Sequence, residues 1–488
     1  MHFDSASYLI LFLPAVALVH WALRRLFRAS VAQTWLLLAS FAFYSLGAAP
    51  LHLFLLAASI LCNWSIARRM CSCEQPAPRR AWLHVGLWGN IVFLGVFKYT
   101  AFFLGGVYPL LHISAPVPHL AFPLGISFYT LTSIMYLVDS YQKLNEPLSL
   151  FDYSSAIAFF PYVTSGPIVR GASIASQFHG ELQANERAIL FTAGLYRLAS
   201  GLLKKIVLAD LFANLAQAGF ASMPRLSFTD AWIASVAYTL QIYFDFSGYS
   251  DIAVGSAALL GIRIPENFNW PYISASISEF WQRWHMSLSL FITHYLYTPL
   301  VRSFGKATLR TSAIATLLAM TIIGLWHGPA MTYVVFGAMH GVALVINQVA
   351  KKRKIKLPRP VGWLLTILFV NSAFVVFRAP DLAAAAHALR MMYVPFGAGG
   401  AGNLVHAQLG QFLTVDVLVR SLLLGLPLLL VLSWRNNWRH AAPEPATSAG
   451  RTAMPFVPAA ACALLYSQIV YCVLFVGTTA QGFIYTQF

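Results

Sequence analysis

Acidic side chains are scarce in this sequence: 16 Asp and Glu among 488 residues, with charged residues of both signs making up only 10%. A soluble domain carries about a quarter of its residues as charges, so a chain this poor in them is not one. Cysteine is scarce as well. There are five, and the close pair Cys71-Ser72-Cys73 has neither zinc spacing nor the pattern of a disulfide framework. It reads as a reduced, incidental pair in a cytoplasmic loop, and no metal site is expected. Period-two alternation of apolar and polar residues is missing, which argues against a transmembrane β-barrel. A nucleotide-binding loop, a long repeat and a soluble catalytic domain are missing too. The first apolar run does not read as a cleaved signal: its positive pair, Arg24-Arg25, follows it, and no small-residue cleavage site stands out.

What is present is hydrophobicity. The chain is 58% hydrophobic, with several apolar runs of 17 to 23 residues, each long enough to cross about 30 Å of hydrocarbon. The expected fold is therefore all-α: a polytopic integral membrane protein of about 11–13 transmembrane helices, with re-entrant or interfacial helices. The net charge of +16 does not point to nucleic acid. Arg24-Arg25, Arg68-Arg69, Arg79-Arg80 and Lys351 to Lys356 sit in short loops at helix ends, the bias of cytoplasmic loops. Membrane lipids are the expected surroundings.

In order, spans are expected at 7–23, 31–47, 51–67, 81–104 (interrupted by Lys98) and 120–138. The stretch from Phe159 to Pro167 is broken by two prolines and reads as re-entrant or interfacial. A helix over 188–218 carries Lys204-Lys205, read as snorkelling to the cytoplasmic interface. Further helices are expected at 231–261 and 276–297, a hairpin at 311–327 and 330–350, and spans at 361–377, 417–434 and 456–477. Ala383 to Met392 reads as a surface amphipathic helix. Residues 1–488 form one domain, its core at about 85–350 and its peripheral helices at 1–80 and 360–488.

Two stretches organise the chain. One is Phe280-Trp281-Gln282-Arg283-Trp284-His285-Met286-Ser287; the other, 42 positions past its histidine, is Leu325-Trp326-His327-Gly328-Pro329. Each sets an imidazole in sequence apolar enough for a bilayer, where titratable groups are costly and mark functional sites by default. The turn between them, Arg302 to Arg310, is basic. His285 lies 17 residues before its first charge and His327 lies 17 after its last. Straight helices would put both rings at a similar depth, roughly 25 Å from the turn. Trp281, Trp284, His285 and Leu288 have helical spacing and would share one face, with Glu279 and Arg283 paired beside it. His285 as a packed residue among interfacial tryptophans is the structural alternative. His327, at a helix break, could face a cavity or cap packed helices. His340 fits a hydrogen bond across helices better than a cavity lining.

A third stretch, Asp245-Phe246-Ser247-Gly248-Tyr249-Ser250-Asp251, places two carboxylates in an aromatic run, with Gly248 a candidate unwound point. It either lines a substrate cavity or ties helices together.

These stretches, with Phe122 to Tyr129, Phe160-Pro161 to Gly166-Pro167, Lys204-Lys205, Pro265-Glu266-Asn267-Phe268, His340-Gly341, Phe377-Arg378-Ala379 and Phe483-Ile484-Tyr485, resemble the membrane-bound O-acyltransferase family over nearly the full length. The nearest branch is the bacterial membrane subunit of alginate O-acetylation. Thr293-His294 and Val301-Arg302 depart from the family pattern, where Arg-Asp and Gly-Gly are commoner. The resemblance implies helices around a central tunnel, with His327 essential and His285 lining it. Trp281, Trp284, Trp326, Asp245, Ser247, Tyr249, Asp251 and His340 are further tunnel candidates. It implies no bound cofactor, and acetyl-CoA as the acyl donor from the cytoplasm. A periplasmic acetyltransferase or esterase-like partner, within a polysaccharide synthesis complex, would receive the group at the bacterial inner membrane.

Transfer from a thioester to an alcohol needs a base for the hydroxyl proton and donors for the oxyanion. Histidine suits the first, which assigns His327 as base; His285 is expected to orient or polarise the thioester carbonyl. No serine or cysteine directly flanks either histidine, which favours direct transfer over an acyl-enzyme. D-alanyl transfer to teichoic acid, a lipid-linked saccharide transporter and a non-catalytic scaffold are the alternative functions.

Overall fold

The computed structural model describes residues 3, 5–111, 117–118, 120–221, 223 and 226–394. Among them every regular element is helical. The spans expected at 417–434 and 456–477 lie outside the described residues, as does Phe483-Ile484-Tyr485.

A π-helical turn, Ser7–Phe12, runs into α1 (Leu13–Leu26), followed by α2 (Ala29–Gly47), α3 (Pro50–Ser72) and the long α4 (Pro76–Leu110). Shorter helices follow: α5 (Ile126–Tyr141), α6 (Leu150–Ala158) and α7 (Gly171–His179). Next, α8 (Ala184–Leu202) passes through a π-helical stretch, Leu203–Ala209, into α9 (Asp210–Ala221). The longest central helix is α10 (Phe228–Leu259). Then come α11 (Ile277–Trp281), α12 (Met286–Phe291), a π-helical turn Ile292–Tyr297, and α13 (Thr298–Ser303). The described chain closes with α14 (Leu309–His327), α15 (Met331–Lys352), α16 (Arg359–Arg378) and α17 (Leu382–Tyr393). Seven helices among the described residues are long and apolar enough to cross a membrane. They are the Ser7–Leu26 unit, α2, α3, Pro76–Gly105 of α4, α14, α15 and α16. The chain is an all-α, multi-pass membrane protein.

The helix ends follow local chemistry. Ser227 accepts from the Asp230 N–H at the start of α10 (3.1 Å), Thr308 caps α14 through the Thr311 N–H (3.2 Å), and Asp381 caps α17 through the Ala384 N–H (2.8 Å). Prolines stand in the first turn of α1, α3, α13 and α16, where a missing N–H is harmless.

α10 is the spine. Its 32 residues run about 48 Å at 1.5 Å each, longer than the hydrocarbon is thick. Gly248 is not an unwound point, because α10 is unbroken through it. A Cβ there would stand 2.8 Å from the Gly201 carbonyl oxygen and 2.9 Å from the Lys205 nitrogen; the glycine lets α8 and the π stretch lie against α10. Nor do both lysines snorkel. Lys205 is buried 2.5 Å from Asp245, and Lys204 lies 2.5 Å from Asp251. The wide π turn aims two consecutive side chains at one neighbour. The first residues, expected at the periphery, also reach this spine: Phe3 and Tyr8 are fully buried, and the Tyr8 hydroxyl donates to Ser256 Oγ at 2.8 Å.

Residues 159–170 are irregular yet buried up to Val169. Their backbone is satisfied by protein groups, as it must be away from water. The Phe160 N–H donates to Ser40 Oγ (3.1 Å), the Ile168 N–H to Ser287 Oγ (3.0 Å), and the Gly166 N–H to the Tyr162 carbonyl (3.1 Å).

Candidate active site

The helix expected over 276–297 is broken. α11 ends at Trp281, α12 starts at Met286, and His285 between them has a left-handed backbone, φ 43°. The break has a partner. The Met286 N–H donates to the Asn267 carbonyl (2.8 Å) and the Asn269 N–H to the Arg283 carbonyl (2.9 Å), so the 267–269 loop takes over bonds a helix would have made. The single face predicted from spacing therefore splays apart. Trp281 donates to His340 Nδ1 (3.2 Å); Trp284 packs against Phe268, Phe280 and Phe374; His285 meets the Phe246 ring edge-on at 4.7 Å. The Glu279–Arg283 pair forms as expected, at 3.1 Å.

Asn267 fixes the state of the His285 ring. Its Oδ1 faces His285 Nδ1 (3.1 Å), the Ser287 N–H (3.3 Å) and Ser287 Oγ (2.9 Å), while its Nδ2 donates to Ser250 Oγ (3.2 Å). A backbone N–H can only donate, so the amide atom facing it is the oxygen. That oxygen can only accept, so His285 carries its proton on Nδ1. In the neutral ring Nε2 then holds a lone pair, and it has no hydrogen-bond partner among the described residues. His285 is thus an acceptor toward anything that approaches Nε2. It can orient a ligand, but the carbonyl-polarising role expected of it needs a donor that this tautomer lacks.

His327 is the last residue of α14, and the hairpin turns at Gly328 and Pro329 as expected. Its helix end is held from α4. Lys98 Nζ lies 2.5 Å from the Trp326 carbonyl and 3.0 Å from the His327 carbonyl, and the Tyr99 hydroxyl donates to the Leu325 carbonyl at 2.6 Å. The Trp326 and His327 carbonyls of the last turn are thereby satisfied, and the Leu325 carbonyl, which also accepts from the Gly328 N–H at 3.2 Å, gains a second bond. The His327 ring packs against Trp326 (4.9 Å), Phe336 (6.3 Å) and Phe377 (5.5 Å), and lies within electrostatic range of His285, Lys98 and His340. His285, His327 and His340 are 1%, 5% and 0% exposed, so none is a surface residue.

The remaining candidates divide. His340 makes the interhelical bond, from α15 to α11, enclosed by Phe280, Trp281, Phe336 and Phe369. Asp245 and Asp251 belong to an ion network with Lys205, Lys204 and Arg197, in which Arg197 lies 2.6 Å from Asp251 and also pairs with Glu266. The Tyr249 hydroxyl bonds Thr164 Oγ1 at 2.8 Å. Both carboxylates and the tyrosine hold helices together. Ser247 Oγ and Trp326 Nε1 differ: both are buried with no partner among the described residues. The Trp326 ring lies edge-on to Phe128 at 5.9 Å, on α5, where Ser127 Oγ, Tyr129 OH and Thr130 Oγ1 are likewise unpartnered. Native interiors leave few such atoms, and of these Trp326 Nε1 belongs to the indole that packs on the His327 ring. Asn267 and Lys98 escaped the sequence reading as site residues. Lys98 carried a signal, as a cation inside an apolar run; Asn267 stood in the Pro265-Glu266-Asn267-Phe268 stretch of the resemblance, but its bond to His285 depends on a loop meeting a helix break.

The model of MBOAT, the membrane-bound O-acyltransferase family, matches residues 14–380. This chain belongs to that family. Membrane-bound O-acyltransferase relatives include the peptidoglycan O-acetyltransferase of Helicobacter pylori, 35% identical over 420 residues, 80% of this chain and 79% of that one. The probable alginate O-acetylase AlgI of Pseudomonas putida is 34% identical over 452 residues, 91% and 90% of the two chains. The teichoic acid D-alanyltransferase of Bacillus subtilis is 30% identical over 294 residues, 56% and 74% of the two. The chain is an acyltransferase.

Proposed function

We propose that this protein moves acetyl groups from cytoplasmic acetyl-CoA across the inner membrane, for O-acetylation of an extracytoplasmic polysaccharide through a periplasmic partner. The observation that carries the reading is a pair of buried imidazoles within electrostatic range of each other, one at a helix break and one at a helix end, with buried polar atoms of both kinds that have no partner among the described residues. His285 Nε2 offers a lone pair; Trp326 Nε1 offers an N–H. An alcohol and a thioester carbonyl need one of each kind.

In this reading His327 takes the proton of the acceptor hydroxyl as its oxygen attacks the thioester carbon. The carbonyl electron pair moves to oxygen, where the Trp326 N–H receives it. Collapse of the tetrahedral state expels the CoA thiolate, and the imidazolium returns the proton to sulfur. The products are the O-acetyl ester and CoA thiol. His285 Nε2 accepts a hydrogen bond from the bound substrate and so aligns it with His327. Ser247, whose buried hydroxyl has no partner among the described residues, is the further tunnel residue this reading takes, while His340 ties α15 to α11 through Trp281.

The acetyl reading is supported over the D-alanyl one by coverage, since the O-acetylase of P. putida matches 91% of the chain and the D-alanyltransferase 56%. Phe377, from the Phe377-Arg378-Ala379 stretch of the family resemblance, packs its ring on His327 at 5.5 Å. The test is thiol release from acetyl-CoA by purified protein supplied with acceptor. We expect turnover by the native protein and a loss of about 10²- to 10⁴-fold in His327→Ala. A native protein that leaves acetyl-CoA intact but accepts a D-alanyl thioester on a carrier would move the assignment to that branch. One that consumes neither would leave transport or scaffolding.

A further inference from the structure

We infer that Lys98 is the positioning residue of this site, and that its charge, beyond its bonds, serves the reaction. The inference rests on the acyl-transfer reading above. Lys98 is buried on α4, and its ammonium meets the Trp326 and His327 carbonyls at 2.5 and 3.0 Å. The rings of Phe122 and Trp326 lie 5.7 and 5.6 Å away. Among the described residues no ion pair includes it. The chain's other fully buried lysine, Lys205, has a carboxylate 2.5 Å away. Among the described residues Lys98 faces the end of a helix and two aromatic rings, with no carboxylate.

That end supplies roughly half a negative charge and the two ring faces add a weaker attraction, with no carboxylate among the described residues to balance the rest. Capping alone does not require this. A neutral hydroxyl, that of Tyr99, already serves the adjacent Leu325 carbonyl at 2.6 Å, and a buried cation is a costly substitute for a neutral donor. The surplus charge lies where the proposed reaction creates an anion, beside the Trp326 N–H and within electrostatic range of His327. In a medium that screens poorly, a fixed positive charge favours the tetrahedral oxyanion over the neutral thioester. Its two carbonyl bonds meanwhile hold the last turn of α14, and with it the indole and imidazole, against α4.

The experiment compares Lys98→Gln, which keeps a donor without the charge, Lys98→Arg, which keeps the charge, and Tyr99→Phe, which removes a capping bond only. Thiol release from acetyl-CoA is measured on purified protein, with folding checked by thermal melting and gel filtration. The inference predicts that Lys98→Gln lowers kcat about 10²-fold with KM for acetyl-CoA within twofold. Lys98→Arg recovers at least tenfold of that loss, and Tyr99→Phe stays within threefold of native. A folded Lys98→Gln protein with native kcat overturns the inference, as does a Tyr99→Phe loss equal to that of Lys98→Gln, which would make Lys98 a cap alone. Should Lys98→Gln not fold, the Arg variant decides: native-like folding with kcat as low as that of His327→Ala counts against the charge. Failure of the parent reading looks different, because the native protein itself would then leave acetyl-CoA intact.

Discussion

Two single residues that sequence spacing did not single out, Asn267 and Lys98, give the site its definition. Asn267 decides which nitrogen of His285 holds the proton, and it is itself clamped. Glu266 before it pairs with Arg197, and the Ser250 that accepts its Nδ2–H precedes Asp251, which pairs with Arg197 and Lys204. Removing the amide frees the ring to change tautomer and to turn. Asn267→Leu is expected to lower turnover roughly 10²-fold, the scale on which a misoriented base or acceptor acts. Nitrogen-15 NMR of histidine-labelled protein checks the cause directly: the native His285 shows protonated Nδ1, and the variant shows a mixture. A native spectrum with protonated Nε2 contradicts the assignment. The same scale shows what the sequence could disclose. His285 and His327 stood out because an imidazole in an apolar run is rare. The tautomer did not, because it follows from a backbone N–H twenty positions from Asn267.

At the scale of elements, most helices were legible and their interruptions were not. The hairpin of α14 and α15 was readable because basic residues bound it at both ends and Gly328-Pro329 breaks it. The break at 282–285 was not, since Trp281, Trp284 and His285 have helical spacing and only the 267–269 loop overrides it. The Asp245 to Asp251 stretch was open between cavity and scaffold; the π stretch after α8 turns it into scaffold by aiming Lys204 and Lys205 at α10. This gives a stability prediction. The Lys205–Asp245 pair is buried on both sides, 3% and 4% exposed, so Lys205→Met takes the cation from a buried carboxylate and should destabilise by about 3–5 kcal/mol. Lys205→Met combined with Asp245→Leu should recover most of that, since an apolar pair of similar volume is often neutral. Thermal melting in detergent reads both. A single variant that melts with the native protein would show the pair to be dispensable.

At the scale of the whole molecule, a long polar-lined spine, α10, carries the scaffold network, while α14 and the 285 break bring the two histidines to one place. The apolar spans were legible because composition and length set them; the equal depth expected of the two imidazoles assumed straight helices, and the break at 282–285 removes that premise on the His285 side. The account's central claim is that these two imidazoles turn a cytoplasmic thioester into an exported ester. The most direct measurement is mass analysis of the extracellular polysaccharide from cells carrying the native protein, His327→Ala or His285→Ala, with membrane levels of each matched. The account predicts acetylated polymer from the native protein and loss of the acetyl increments from both variants. Polymer that stays acetylated when either imidazole is gone would contradict it.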